Sequence, residues 1–170
     1  SPCFISKIES IIKLLQGKIQ THFTTFEIFH IFQKSKKLLL FLFKLKIIAP
    51  TEEIYFNIIS NKKYIERNYI EYFFTEFEPY IDENMKKKIK ENNNDLKNNA
   101  PRDEFDRKRE IGENDNYICS LIRHDQVVDF VIYLEKNNIS PSSKIQPSIY
   151  ETNLFLMNKK PTLIKYSAFY

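Results

Sequence analysis

The sequence predicts an all-α chain organised as a stack of helical hairpins. Apolar residues recur at three- and four-residue intervals through most of its 170 positions, the period of a single helical face. Glycine occurs only at Gly17 and Gly112, against about 12 expected from average usage. That shortage removes dinucleotide fingerprints, phosphate-cradling loops and Gly-bearing tight hairpins, all of which need positive φ or close backbone approach. An apolar content of 42% is enough for a packed core rather than global disorder.

The elements follow in order. Ile5, Ile8, Ile11, Ile12 and Leu15 line one face of a first helix, and Gly17 offers it a C-terminal stop. Phe26, Phe29 and Phe32, with Ile28 and Ile31 beside them, mark a second helix over 25–33. A third, over 35–46, is apolar on nearly every side through Leu38–Phe43 and is expected between neighbours. Six apolar residues bracketed by lysines fall far short of the roughly 20 that span a bilayer, so no transmembrane segment is expected. After Ala49-Pro50, Thr51 can cap a fourth helix whose buried stripe is Ile54, Tyr55, Ile58 and Ile59. One helix is then expected over 62–77, with Ile65, Tyr69, Tyr72 and Phe73 inward. Another starts near Pro79 with Ile81, Met85 and Ile89 on one face.

Residues 91–104 are polar and mark the main internal boundary, which divides the chain into a helical cap over 1–95, a polar connector over 96–113 and a second region over 114–170. In that region Tyr117, Ile118, Leu121 and Ile122 form a short helix. Arg123-His124-Asp125 makes a turn, and Val127, Val128, Phe130, Val131 and Leu134 form the returning helix, closed by Asn137-Asn138. A hairpin of this size cannot bury both its apolar faces alone and normally stacks on a neighbour. The opening recurs at Thr162–Ala168, and the last element is expected to be cut short.

Charge narrows the choice of partner. Residues 1–50 carry eight Lys and two Glu, whereas 51–95 are net acidic and 96–170 nearly neutral. Of the 26 cationic residues 21 are Lys, and bidentate reading of bases or phosphates would favour Arg. Direct nucleic-acid binding is therefore not expected. Binding of an acidic membrane or nucleic-acid surface through the Lys-rich first third is the alternative function. Cys3 and Cys119 give neither a disulfide framework nor metal-ligand spacing, which fits a reduced, intracellular and cytoplasmic setting. Because the chain opens on Ser1-Pro2 rather than Met, it is expected to be a piece without its own start.

In the ankyrin repeat, Thr-Pro-Leu-His opens the first helix and an Ala pair follows. Here Thr162, Ile164, Ser167 and Ala168 take the Thr, Leu and Ala-pair positions, with Leu163 and Lys165 where Pro and His are usual. In the earlier unit Ile118 takes the Leu position, Leu121-Ile122 the Ala pair, Asp125 the turn glycine, and Phe130, Tyr133 and Leu134 the second helix. The openings lie 46 residues apart instead of about 33, so residues around Ser142 to Lys159 are expected to form an enlarged loop. A closer match lies in linked strings. Gly112-Glu113-Asn114-Asp115-Asn116-Tyr117-Ile118-Cys119, Leu121-Ile122-Arg123, Pro147-Ser148-Ile149-Tyr150-Glu151-Thr152-Asn153 and Pro161-Thr162-Leu163-Ile164 together resemble the N-terminal domain of unknown function that precedes ankyrin repeats in trichomonad-type protozoan proteins. Leu38–Phe43 with Lys46-Ile47-Ile48, and Tyr72-Phe73-Phe74, extend the resemblance over residues 20–170.

The resemblance implies a helical leader running into an ankyrin-like α-solenoid, with residues 114–170 as its first one and a half units, truncated at the C-terminus. It implies a non-catalytic scaffold that meets protein partners, with no enzyme activity and no catalytic, cofactor or metal residues. The residues themselves offer little competing chemistry. Cys119, Ser120, His124 and Asp125 cluster in sequence, but Cys119 and His124 point to different helix faces. His22 and His30 lack ligands at a metal-binding interval, and Glu76, Glu78, Asp82 and Glu83 lack the pattern of a calcium loop. The abundant Phe and Tyr fall at core spacing rather than interleaved with cations as a stacking platform requires. Lys86, Lys87, Lys88 and Lys90 are flanked by Asp82, Glu83 and Glu91, which weaken their field.

Overall fold

A computed structural model describes residues 2–63, 68–96 and 102–170. It is mostly helical, with no strand among the described residues. The chain divides into two compact units, Ser1–Phe105 and Asp106–Tyr170.

In the first unit α1 (Pro2–His22) is followed by α2 (Thr25–Phe32) and α3 (Lys36–Lys44). Gly17 does not stop α1, which runs on through it. A helix-interior glycine lowers helix stability by about 1 kcal/mol relative to Ala but ends a helix only where its φ turns positive. The buried side of α1 centres on Ile12, so Ile11 and Leu15, expected inside with it, are exposed. α2 begins in a capping box: Glu27 N donates to Thr24 Oγ1, and Thr24 N donates to Glu27 Oε2. α3 packs against both α1 and α2, and Leu38–Leu40, Leu42 and Phe43 are buried.

The chain leaves α3 by a Schellman turn. Lys46 N donates to Phe43 O and Ile47 N to Leu42 O, with Lys46 left-handed at φ 55°. A side chain in that region is strained and Lys46 is exposed, so Lys46→Gly is expected to stabilise the protein by about 0.5–1 kcal/mol. Urea unfolding followed by far-UV circular dichroism reads this as a higher midpoint at unchanged slope.

Thr51 caps α4 (Glu52–Ser60) as expected, and Ile54, Tyr55 and Ile58 are buried. The single helix expected over 62–77 is not one helix in its described part. Residues 64–67, Ile65 among them, lie outside the described residues. Asn68 is left-handed at φ 52° and precedes two single turns, α5 (Tyr69–Tyr72) and α6 (Phe74–Phe77), separated by Phe73. The break serves packing. Tyr69, Tyr72, Phe73, Phe74 and Phe77 are all buried, more aromatic volume than one face of a straight helix presents. Phe73 meets Phe43 and Tyr72 edge-on, at centroid distances of 5.6 and 4.8 Å. A 3-10 turn (Glu78–Tyr80) carries Pro79, and α7 (Glu83–Asn92) starts only after Asp82, which caps it. Ile81 therefore packs from outside that helix, and Met85 is exposed.

The 96–113 stretch read as a connector contains a helix, α8 (Arg102–Ile111), and the division between the units falls within it. Its apolar face reduces to Phe105 and the stem of buried Arg109, too little to register as a stripe.

In the second unit α9 (Tyr117–Arg123) packs against α10 (Val127–Lys136) and against α12 (Leu163–Ser167). Cys119, Leu134, Ile145, Leu156, Leu163 and Tyr166 form one buried cluster. Both turns of the hairpin are again Schellman turns. Asp125 and Asn138 are left-handed and Asn137 is not, and Gln126 N and Ile139 N donate back to Leu121 O and Leu134 O. The stretch from Ser142 to Lys159 is not the plain loop expected. It includes α11 (Leu154–Lys159), capped by Asn153, and Lys144 makes an isolated antiparallel bridge to Thr162. Buried Leu156 explains why the helix forms: it places one apolar side chain in the cluster from a segment too short to show a period.

Candidate functional site

The densest polar arrangement lies in the second unit, between strings that are far apart in sequence. Gly112, left-handed at φ 72°, offers its carbonyl to Thr152 N at 3.1 Å and to Thr152 Oγ1 at 2.7 Å. Asn114 is buried. Its Nδ2 donates to Gln146 O at 2.8 Å, and its Oδ1 accepts from Asn116 N at 3.0 Å and Asn116 Nδ2 at 2.8 Å. Asp115 accepts from Ser148 Oγ at 2.7 Å and is paired with Lys108 Nζ at 3.2 Å. The 112–116 and 146–152 segments are thus clamped together by side chains and by the backbone bond from Thr152 N to Gly112 O, with no ladder between strands.

Arg123, at the end of α9, extends the clamp to α12. Its Nε lies 2.9 Å from Glu113 Oε2, an ion-pair approach rather than an aligned hydrogen bond. Its Nη1 donates to the hydroxyl of buried Tyr166 at 2.8 Å, and its guanidinium lies 6.0 Å from the Tyr170 ring centroid. Glu151 is buried nearby and accepts from Asn153 N at 2.8 Å through Oε1, while Oε2 has no hydrogen-bond partner. Burial holds the Glu151 carboxyl above its ordinary range, against the opposing pull of the Asn153 N–H and of Arg123. An open groove of about 510 Å³ runs beside Arg123, walled by Leu121, Ile122 and Phe130 and edged by Asp125, Gln126 and Tyr170.

No family model, curated protein or solved structure matches the chain. Burial pushes the Cys119 thiol up to about 11, so at neutral pH it is a protonated core group and not a thiolate. Ser120 Oγ lies 3.3 Å from His124 Nδ1, but the same nitrogen lies 2.8 Å from Ser120 O. A carbonyl only accepts, so Nδ1 is the donor there and has no lone pair left to activate the hydroxyl. The four residues that cluster in sequence are therefore not assembled into a nucleophile and base. Asp125 is committed to the turn.

Several of the other candidates are engaged locally. His30 sits edge-on to Phe26 at 4.4 Å, with Gln33 Nε2 2.9 Å from its Nδ1. Glu83 pairs with Lys86 at 2.7 Å, Glu78 approaches Lys90 at 4.0 Å, and Asp82 caps α7. Among the described residues no group of three or more His, Cys, Asp or Glu could hold a metal ion. Nor is any helix among them long and apolar enough to cross a membrane.

Sequence reasoning singled out Gly112–Asn116, Arg123 and Pro147–Asn153 only as strings. It did not find that they bond to one another, because a pairing such as Asp115 with Ser148 leaves no periodic trace. It also missed two buried cations, Lys36 and Arg109. Arg109 is ion-paired with Asp106 one helical turn earlier, the local spacing that could have disclosed it.

Proposed function

We propose that the chain is the non-catalytic helical cap of an ankyrin-repeat scaffold that mediates protein–protein interaction in the cytoplasm. In this reading α9 and α10 are the first unit and α12 opens the second. The observation that carries it is the outer face of α10. Phe130 and Leu134 pack inward, while Val128 and Ile132 stand exposed on the opposite face with Val131 at its edge, Val128 by 72%. An exposed stripe of β-branched aliphatics on the return helix of a hairpin is an apolar patch of the kind that a protein partner covers. The polar clamp supports the same role, since most of its donors and acceptors, Glu151 Oε2 and Arg123 Nε apart, are spent holding the unit together. A photo-crosslinking residue at Val128 is expected to give discrete protein adducts in the native cell that the same residue at exposed Lys88 does not. Equal adduct patterns from the two positions, or none at Val128, would overturn the reading.

A further inference from the structure

We infer that α1 docks the protein on an anionic lipid surface, an interaction separate from the scaffold role and independent of it. α1 buries one side through Ile12, with Ile5, Ile8, Gln16 and Ile19 half-buried around it, and α3 covers that side. Gln16 Nε2 and Gln20 Nε2 fasten the helix to the backbone at Leu45 and Lys46, so its orientation is set by the fold. The opposite side faces solvent with Leu14 86% and Ile11 54% exposed, and Leu15 beside them.

At 100° per residue Lys7, Ile11, Leu14 and Lys18 share one strip, so a cation stands about two turns before Leu14 and one turn after it. This order suits a helix lying in the plane of a bilayer surface. The aliphatic side chains enter the acyl boundary while the lysine stems reach up to headgroup phosphates. Charge agrees with that partner. The carboxylate of α1, Glu9, lies on the half-buried side, and the next along the chain, Glu27, is occupied in the α2 capping box. Lys44 and Lys46, at the end of α3 where Gln20 is anchored, are exposed and add to the field. A nucleic acid would use the lysines but gain nothing from Leu14, which is why lipid is the occupant argued for.

The test is cosedimentation of the whole chain with phosphatidylcholine vesicles with and without phosphatidylserine. Binding is expected only with phosphatidylserine, falling with added salt and dropping about tenfold or more in Leu14→Glu. Leu14→Met should bind like the native chain, and Lys7→Glu with Lys18→Glu should lose binding while Leu14 is intact. Because Leu14 is exposed, Leu14→Glu should melt at the native temperature, which separates lost docking from lost folding. The inference is overturned if Leu14→Glu binds undiminished or if the native chain ignores phosphatidylserine. It is also overturned if Leu14→Glu instead abolishes self-association in sedimentation velocity or binding to RNA, which would assign the face to a second copy or to nucleic acid.

Discussion

Replacing Lys36 by alanine is expected to lower the stability of the protein by about 3 kcal/mol, a change usually reserved for core hydrophobics. Lys36 opens α3 and is completely buried. Its Nζ lies over two tyrosine rings, 4.9 Å from the Tyr72 centroid and 5.6 Å from Tyr69. In a desolvated site such a contact contributes about 2 kcal/mol or more, and the four-carbon stem adds packing. The charge has a second role. Burial raises the Glu71 carboxyl above its ordinary range, and Lys36 is the group that opposes this. Lys36→Met keeps the stem and removes the charge, so it should fall between alanine and native, about 1–2 kcal/mol down. Urea denaturation of the two variants beside Lys34→Ala, at an exposed lysine of the same segment, separates the contributions. If Lys36→Ala behaves like Lys34→Ala, the buried cation has no structural role. Lys36 also lies outside any accessible basic face, so the charge of the first third that can meet a partner is smaller than its lysine count.

That lysine shows where the sequence is legible and where it is not. The α3 core, the Thr51 and Thr162 caps and the turns at Asp125 and Asn138 follow from neighbours within a few positions. Capping, periodicity and left-handed tolerance are all local. The scarcity of glycine even indicates which side chains must take its place, although Lys46 and Lys160 do so too, and nothing about lysine announces a left-handed residue. Burial of Lys36 depends on rings 33 and 36 positions downstream. The halving of the 69–77 segment depends on how many aromatics the core of the first unit accommodates. The polar clamp joins carbonyls and side chains 30 to 40 positions apart. Each is decided by tertiary packing, which a single sequence does not encode in any window.

Arg123 should be the most sensitive position in the second unit. Arg123→Met removes the partner of Glu113 and leaves the hydroxyl of buried Tyr166 without its donor at 2.8 Å. Glu113 is partly exposed and can rehydrate, so its share is small. Loss of a charge-assisted bond to a buried hydroxyl amounts to about 2–3 kcal/mol. A cycle with Tyr166→Phe isolates the bond, because the phenylalanine ring keeps the packing and deletes only the hydroxyl. The two changes together should lower stability by clearly less than the sum of each alone. Acidity supplies an independent check. The Glu151 carboxyl is held above its ordinary range when folded, so the folded chain binds that proton more tightly than the unfolded chain. The stability from this linkage is present at acid pH and lost as pH rises from the ordinary carboxylate value through the folded one. Arg123 opposes the shift by favouring the ionised form. Without it Glu151 ionises at still higher pH, and the deficit of Arg123→Met should be larger at pH 7 than at pH 4, where Glu151 is protonated in both proteins. A deficit equal at the two pH values would mean that Arg123 does not act on Glu151.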